Sequence, residues 1–175
     1  MKSTTLIAAA ALLCSAFASA LTWAQMPPET RVEMRNAQGE PIGSATVIAG
    51  AGGSLTLRVQ VTKLPPGPHG FHIHEVGKCE PPDFLSAGPH FNPLGKKHGR
   101  QNPDGSHAGD LPNLLVGPDG SAEVEVPIRF PVREPGLGTP GTALIIHANP
   151  DDEATDPDGN AGARLACGVI PKRGE

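Results

Sequence analysis

Gly-Phe-His-Ile-His-Glu, residues 70–75, is the stretch from which the fold of this 175-residue chain is most directly predicted. Phe71 and Ile73 alternate with His72 and His74, and side chains two positions apart on a strand point to the same face. The pattern therefore predicts a strand with both imidazoles on one face and two apolar side chains on the other, towards the core. Two imidazoles on one face can share a metal ion. The alternative at this point is a pair of surface histidines on a half-exposed strand.

Three more histidines and one aspartate follow in a region rich in glycine and proline, between residues 87 and 110. This composition predicts a loop, and a loop of this length needs a reason to be ordered. Three imidazole nitrogens and one carboxylate oxygen make a closed tetrahedral set suited to Zn²⁺, and binding would order the loop as the site forms. The alternative is a solvated polar loop with scattered histidines. The four residues are His90, His98, His107 and Asp110.

The rest of the chain consists of short apolar segments separated by turn signals, which is typical of an all-β sandwich or barrel. No window shows a helical stripe, and we find neither an internal repeat nor a second domain. About eight strands are predicted, at residues 30–35, 45–48, 54–61, 71–76, 113–116, 122–126, 142–147 and 165–170. Turns are predicted at residues 38–43, 49–53, 65–70 and 117–120.

The chain begins with the features of a secretory signal peptide. An apolar run over residues 6–20 is too short to be a membrane anchor, and small-x-small patterns place cleavage after Ala20 or Ala24. We therefore expect residues 1–24 to be removed, leaving residues 25–175 as one domain with its own core. No other apolar run is long enough to span a bilayer, so no membrane association is expected after processing.

The net charge bears on which partners the protein can bind, and the aromatic content bears on which side chains can form its core. The formal net charge is −4 at pH 7, and the sequence contains no basic tract. Nucleic acid is therefore not expected as a partner. Tyrosine is absent, so the core must be built from aliphatic residues and a few phenylalanines.

Two cysteines remain in the expected exported domain, Cys79 and Cys167, because Cys14 falls in the predicted signal peptide. An even pair in an exported chain favours a disulfide. The bridge would close a loop of about 90 residues, for which chain entropy predicts a stabilisation of about 4–5 kcal/mol. Two buried thiols, or a role in metal binding, are the alternatives.

Several motifs together resemble the copper/zinc superoxide dismutases. The resemblance extends over nearly everything after the first thirty residues, and several independent motifs in the right order make it more specific than any single match. The motifs are GFHIHE (70–75), AGPHFNP (87–93), HAGDLPN (107–113), the isolated His147 after an apolar strand, and GNAGARLACGVI (159–170).

The resemblance implies a fold and two sets of metal ligands. The fold is an eight-stranded Greek-key β-barrel, an immunoglobulin-like sandwich, with long metal-binding loops and the same Cys79–Cys167 bridge. Carried over residue by residue, the copper ligands are His72, His74, His90 and His147. The zinc ligands are His90, His98, His107 and Asp110, so His90 binds both ions. His69 matches no ligand and is interpreted as structural.

The resemblance also implies an activity. Such an enzyme converts two superoxide radicals into dioxygen and hydrogen peroxide as copper cycles between Cu²⁺ and Cu⁺, and His90 delivers a proton to the departing peroxide. Arg164, which residue type alone would make a surface arginine, matches the arginine that guides the anion. Asp151 matches an aspartate that hydrogen-bonds ligand histidines of both metals, with its neighbour Asp152 as the alternative. The implied catalytic residues are thus His90 and Arg164.

A non-catalytic copper or zinc carrier on the same barrel is the rival function, although the full ligand set and Arg164 favour the enzyme. The acidic loop 151–158 has Asp158 where many relatives have threonine, which puts its steering of superoxide in doubt. Lys96, Lys97 and Arg100 could compensate, although a solvated basic patch is favoured. Export to the periplasm is expected, as a monomer or a homodimer.

Overall fold

The computed structural model describes residues 29–128 and 141–171, so the predicted signal peptide lies outside the described residues. Within them the chain forms nine strands, two 3₁₀ turns (Ala51–Gly53 and Leu85–Ala87) and no α-helix. No helix in this part of the chain has the length and apolar character needed to cross a bilayer. The strands are β1 (Glu29–Asn36), β2 (Pro41–Ala49), β3 (Leu55–Val61), β4 (Gly67–His69), β5 (Phe71–His74), β6 (Leu114–Val116), β7 (Ala122–Ile128), β8 (Thr142–His147) and β9 (Arg164–Ile170).

Seven strands form one antiparallel sheet in the order β5-β8-β9-β1-β2-β3-β7, and β4 pairs with β6 in a separate ribbon. The ribbon connects the two edges of this curled sheet. On one side β4 runs through Gly70 into β5, and on the other a tight turn, in which Gly117 N donates to Ser121 O, joins β6 to β7. Since β9 pairs with β1 and β7 with β3, strands distant in sequence lie side by side, as in a Greek key. The predicted all-β barrel is confirmed.

The predicted number of eight strands holds when β4 and β5 are counted as one strand interrupted at Gly70. The prediction of a turn over residues 65–70 is wrong for residues 67–69, which form β4. Gly67 and Pro68 look like turn residues, but β4 pairs only with β6, and proline is tolerated on such an edge strand. The predicted turn at residues 38–43 is also shorter than expected, because β2 begins at Pro41.

Alternate apolar side chains of the strands fill the barrel, which fixes the direction in which the remaining side chains point. Each fully buried aliphatic or aromatic side chain stabilises the fold by about 1.5–3 kcal/mol. A slip of β5 by one residue would move Phe71 and Ile73 out of the core and place the imidazoles of β5 there, so the register of this strand is strongly specified. Pairs from three strands illustrate the pattern, each side chain at most 1% exposed: Val32 and Met34, Leu57 and Val59, Phe71 and Ile73.

Cys79 and Cys167 form the predicted disulfide, with their Cα atoms 5.7 Å apart. The two alternatives, free thiols and metal ligands, are therefore wrong. The bridge ties the loop after β5 to the middle of β9, and the Cys167 side chain is buried. It thus holds the loop that leads to His90 against the strand that begins with Arg164.

Candidate metal centre

Four histidines from distant parts of the chain meet on the outer face of β5, and we call them the four-histidine group: His72, His74, His90 and His147. His72 and His74 share one face of β5, and His147 ends β8, which pairs with β5. One ring nitrogen from each of the four lies within 4.8 Å of the others. All four are buried, so the alternative of surface histidines on a half-exposed strand is wrong.

The hydrogen bonds of this group leave nitrogen lone pairs directed at one point. His74 Nδ1 lies 2.8 Å from Gly88 O, and His147 Nδ1 lies 3.1 Å from Gly162 O. Carbonyl oxygens only accept, so both Nδ1 atoms carry hydrogen and both Nε2 atoms, 3.4 Å apart, present lone pairs. Burial lowers the pKa of His147 to about 4, so its ring is neutral near pH 7.

His72 and His90 complete the converging set. Buried His72 Nδ1 and His90 Nε2 have no hydrogen-bond partner among the described residues. Burial lowers the pKa of His72 to about 3, so this ring too is neutral near pH 7. Unpartnered buried nitrogens are rare in folded proteins. These two, together with the facing Nε2 atoms of His74 and His147, match the donor set of a bound cation.

A second set, the carboxylate group, consists of His90, His98, His107 and Asp110. Asp110 Oδ1 lies 3.0 Å from His90 Nδ1, 3.1 Å from His98 Nδ1 and 3.3 Å from His107 Nδ1. Asp110 Oδ2 accepts the backbone N–H groups of Gly99 and His107. Burial would raise the pKa of Asp110, but hydrogen bonds from His90, His98 and Gly99 hold it well below its ordinary value. The loop is therefore anchored through one ionised carboxylate, and the alternative of scattered solvated histidines is wrong.

His90 belongs to both groups and faces each with a different ring nitrogen. Its Nδ1 lies beside Asp110 Oδ1, whereas its Nε2 is the unpartnered atom on the side of His72. The centroids of the His90 and His72 rings are 4.0 Å apart. A single imidazole can thus join two adjoining sites.

Asp151 connects the two groups, because it accepts hydrogen bonds from one histidine of each, at the ring nitrogen that does not face the site. Its carboxylate accepts from His72 Nε2 at 2.7 Å and from His98 Nε2 at 3.1 Å. Burial opposes protonation of His98, but the hydrogen bonds to Asp110 and Asp151 raise the pKa of His98 to about 10. Asp152, the alternative, makes neither contact; its carboxylate accepts instead from Thr155 and Asn160.

A cleft of about 620 Å³ opens onto the four-histidine group. Three of its four histidines, His74, His90 and His147, are among the lining residues. Of the carboxylate group only His90 reaches this cleft, so the other three residues are closed off from it. One group is therefore open to a small solute, whereas the other has the closed character of a structural metal site.

Arg164 lines the same cleft and is fixed by two carbonyl groups. It donates to Phe84 O at 2.7 Å and to Gly88 O at 2.8 Å. Gly88 O also accepts from His74, so one carbonyl positions both the arginine and a histidine of the site. Asp83 and Asp158 line the cleft as well, and both interact electrostatically with Arg164. The cleft thus combines one fixed cation with two exposed carboxylates.

Sequence reasoning missed several residues that position the site. The side chain of Asn113 pairs with the backbone of Asp151, donating to its O and accepting from its N, both at 2.8 Å. The backbone carbonyls of Phe84 and Gly88, which accept from Arg164, cannot be predicted from residue type, because every residue has a carbonyl group. Buried His69, interpreted as structural, lies with one ring nitrogen 2.7 Å from His147 O and the other 2.8 Å from Pro65 O.

The expected basic patch is replaced by ion pairs between two loops. Lys97 Nζ lies 3.0 Å from Asp156 Oδ2, and Arg100 Nη2 lies 2.6 Å from Glu153 Oε1. Neither cation lines the cleft. Lys97 and Arg100 therefore hold the loop of His98 against the loop of Asp151, and they do not compensate for the acidic residues of the cleft.

Comparisons with known proteins agree with this geometry. The family described as "Copper/zinc superoxide dismutase (SODC)" matches residues 42–170. "Superoxide dismutase [Cu-Zn] 1" of Aquifex aeolicus is 47% identical over 148 residues, 81% of this chain and 87% of that protein. "Superoxide dismutase-like protein YojM" of Bacillus subtilis is 43% identical over 145 residues, 79% of this chain and 74% of that protein. The solved structure of the Cu/Zn superoxide dismutase from Brucella abortus is 33% identical, with a TM-score of 0.66 over 81% of this chain and 99% of that one. The chain belongs to the copper/zinc superoxide dismutase family.

Proposed function

We propose that this chain is an exported superoxide dismutase that holds copper in the four-histidine group and zinc in the carboxylate group. Copper and zinc are the cofactors of the family to which the chain belongs. The observation that carries the proposal is the presence of two complete donor sets that meet at His90. The YojM relative, named only as superoxide dismutase-like, is 43% identical to this chain, which lies between the 47% and 42% of relatives named as superoxide dismutases. Sequence identity alone therefore does not decide whether this chain has the activity, and the proposal rests on the two donor sets.

The two donor sets differ in their chemistry, and each suits one of the two metals. Four neutral imidazole nitrogens suit copper, whereas three imidazoles and a carboxylate suit tetrahedral Zn²⁺, which has no redox chemistry. When bound, copper supplies a one-electron couple between Cu²⁺ and Cu⁺ that superoxide can reduce and then reoxidise. The open cleft lies on the four-histidine side, where the substrate must arrive.

His90 is the residue that we propose for proton transfer. Its Nε2 faces the four-histidine group, while its Nδ1 is held beside Asp110. A ring fixed through Nδ1 can take up a proton at Nε2 and give it to departing peroxide without turning away from the site. Asp110 and Asp151 keep the surrounding rings in their tautomers and orientations.

Arg164 is the residue that we propose for attracting the anionic substrate. Its guanidinium remains charged at neutral pH, and its two backbone acceptors fix it at the cleft. Asp83 and Asp158 oppose this local field. We therefore expect Arg164 to attract superoxide less strongly than it would in a cleft that lacked these two carboxylates.

The cellular location follows from a different set of observations. Residues 1–24 carry the pattern of a signal peptide, and the Cys79–Cys167 disulfide suits an oxidising compartment such as the periplasm. The enzyme would then remove superoxide outside the cytoplasm, as a monomer or a homodimer. N-terminal sequencing of the exported protein tests the processing, and we expect it to begin after Ala20 or Ala24.

The activity is tested by superoxide consumption of the purified protein loaded with copper and zinc, compared with a His147→Ala variant. We expect the variant to lose nearly all activity, because one of four copper ligands is missing. It should keep its zinc, since His147 contributes nothing to the carboxylate group. Retained zinc would separate loss of catalysis from loss of the fold. Equal rates in the two proteins would contradict catalysis at this site and would favour the metal carrier.

A further inference from the structure

His107 belongs to the carboxylate group, and its Nε2, the ring nitrogen that points away from Asp110, has no role in the function proposed above. His107 Nδ1 is buried, lies 3.3 Å from Asp110 Oδ1 and has no hydrogen-bond partner among the described residues. Its other nitrogen, Nε2, lies 3.9 Å from Oδ1 of Asp156. His98 shows the corresponding arrangement more tightly, with Nδ1 beside Asp110 and Nε2 beside Asp151. Each of these two imidazoles thus has a carboxylate of the 151–158 loop behind it.

Asp156 is itself held in position at both oxygens. Its Oδ1 accepts the backbone N–H of His98 at 2.7 Å, and its Oδ2 accepts from Lys97 Nζ at 3.0 Å. The same oxygen atom that faces the His107 ring therefore also fixes the backbone of His98. Asp156 Oδ1 is thus hydrogen-bonded to the backbone of one member of the carboxylate group and lies 3.9 Å from the ring of another, although the Asp156 side chain is 37% exposed.

A carboxylate in this place has a defined physical effect on a metal ligand. A neutral imidazole that binds a cation through Nδ1 must carry its hydrogen on Nε2. An acceptor facing that N–H fixes the tautomer and the ring orientation and makes the ligating nitrogen a stronger donor. Asp156 Oδ1 is the carboxylate oxygen that lies nearest to this position for His107.

We propose that Asp156 is a positioning residue for zinc: it orients the His107 ring and holds the His98 backbone, and it acts on the carboxylate group and not on the four-histidine group. This inference rests on the proposed function, which assigns zinc to that group. Asp156 has no contact with His72, His74 or His147, so its effect is confined to one metal.

The competing explanation is that Asp156 only joins two loops through its ion pair with Lys97. Both side chains of that pair are exposed, and exposed ion pairs contribute little to stability because solvent screens them. The two explanations differ in what removal of Lys97 does. If Asp156 acts on zinc, Lys97 can be replaced with little effect.

The experiment measures zinc and copper affinities of the purified protein by chelator competition, for wild type and three variants. We expect Asp156→Ala to weaken zinc binding by about 10- to 100-fold, as is typical when the residue behind a metal ligand is lost. Asp156→Asn keeps an acceptor oxygen but no charge and should recover part of that loss. Lys97→Met should bind zinc within about twofold of wild type, and all three variants should bind copper normally, since they leave the four-histidine group intact.

A spectroscopic readout separates positioning from a general loss of structure. Co²⁺ placed in the carboxylate group absorbs visible light according to its ligand geometry, so its spectrum should change in Asp156→Ala and largely return in Asp156→Asn. Zinc binding by Asp156→Ala equal to wild type would overturn the inference. So would a loss in Lys97→Met as large as that in Asp156→Ala, or an equal loss of copper and zinc. A wild-type protein that binds no zinc would overturn the proposed function itself, and this inference with it.

Discussion

Replacement of Asp151 by alanine should damage both metal sites at once, although Asp151 belongs to neither proposed ligand set. Its carboxylate lies 2.7 Å from His72 Nε2 and 3.1 Å from His98 Nε2, and the residue is buried. In Asp151→Ala both imidazole N–H groups lose their acceptor in a place that water reaches poorly. The neighbouring Asp152→Ala is a matched control, because Asp152 accepts only from its own loop.

The expected size of the effect follows from these contacts. Each buried polar group left without a partner costs about 1–3 kcal/mol, so the two imidazoles together cost about 2–6 kcal/mol. That is a large share of a typical stability of about 5–15 kcal/mol. Loss of the residue behind a metal ligand weakens metal binding by about 10- to 100-fold, and here we expect it for copper through His72 and for zinc through His98.

Urea unfolding of the metal-free proteins measures the stability change, and chelator competition measures the affinities for both metals. We expect Asp152→Ala to lower the stability less than Asp151→Ala does, because the Asp152 side chain is exposed and all its partners lie in its own loop, and to bind both metals normally. Weaker binding of only one metal in Asp151→Ala, or equal effects in the two variants, would show that Asp151 does not support both sites.

Three further predictions concern the cleft, the disulfide and acid stability. Arg164→Ala should lower kcat/KM for superoxide about tenfold at low ionic strength, whereas Asp158→Asn should raise it; stopped-flow rates at two salt concentrations check both, and unchanged rates would contradict steering. Cys79→Ala should lower the free energy of unfolding by about 4–5 kcal/mol if chain entropy dominates, and a loss below about 1 kcal/mol in urea unfolding would contradict that estimate. Burial lowers the pKa of His72 to about 3, so below pH 6.5 the unfolded chain binds a proton that the folded chain does not, and the metal-free protein loses stability as the pH falls towards 4. The raised pKa of His98 changes the stability only above pH 6.5, and carboxyl groups of the unfolded chain take up protons mainly below about pH 5. Thermal melts between pH 6.5 and about pH 5 therefore isolate the effect of the buried neutral histidines, and a constant Tm over that range would contradict it.

Local periodicity explains which parts of the site could be predicted from the sequence. His72 and His74 share a face because strand side chains alternate, which requires no knowledge of the remaining fold. His147 is different, because it reaches the same point only through the pairing of β5 with β8. Nothing within its own segment indicates that contact, so only the family resemblance suggested it.

Other features depend on backbone atoms or on partner choice and could not be predicted. The carbonyls that fix Arg164 belong to Phe84 and Gly88, and a carbonyl has no sequence signature. The positive charges of Lys97 and Arg100 were evident, but their pairing with Asp156 and Glu153 depends on how two loops pack. The sequence predicts a turn where β4 lies, because the glycine and proline of this strand dominate the local signal.

The proposed function requires two adjoining metal sites that share the ring of His90. The most direct measurement is a crystal structure of the copper- and zinc-loaded protein, with anomalous scattering recorded at the absorption edge of each metal. We predict a copper peak among His72, His74, His90 and His147 and a separate zinc peak among His90, His98, His107 and Asp110, with the two ring nitrogens of His90 each bound to a different ion. A single peak, or two peaks of which only one contacts His90, would contradict the account.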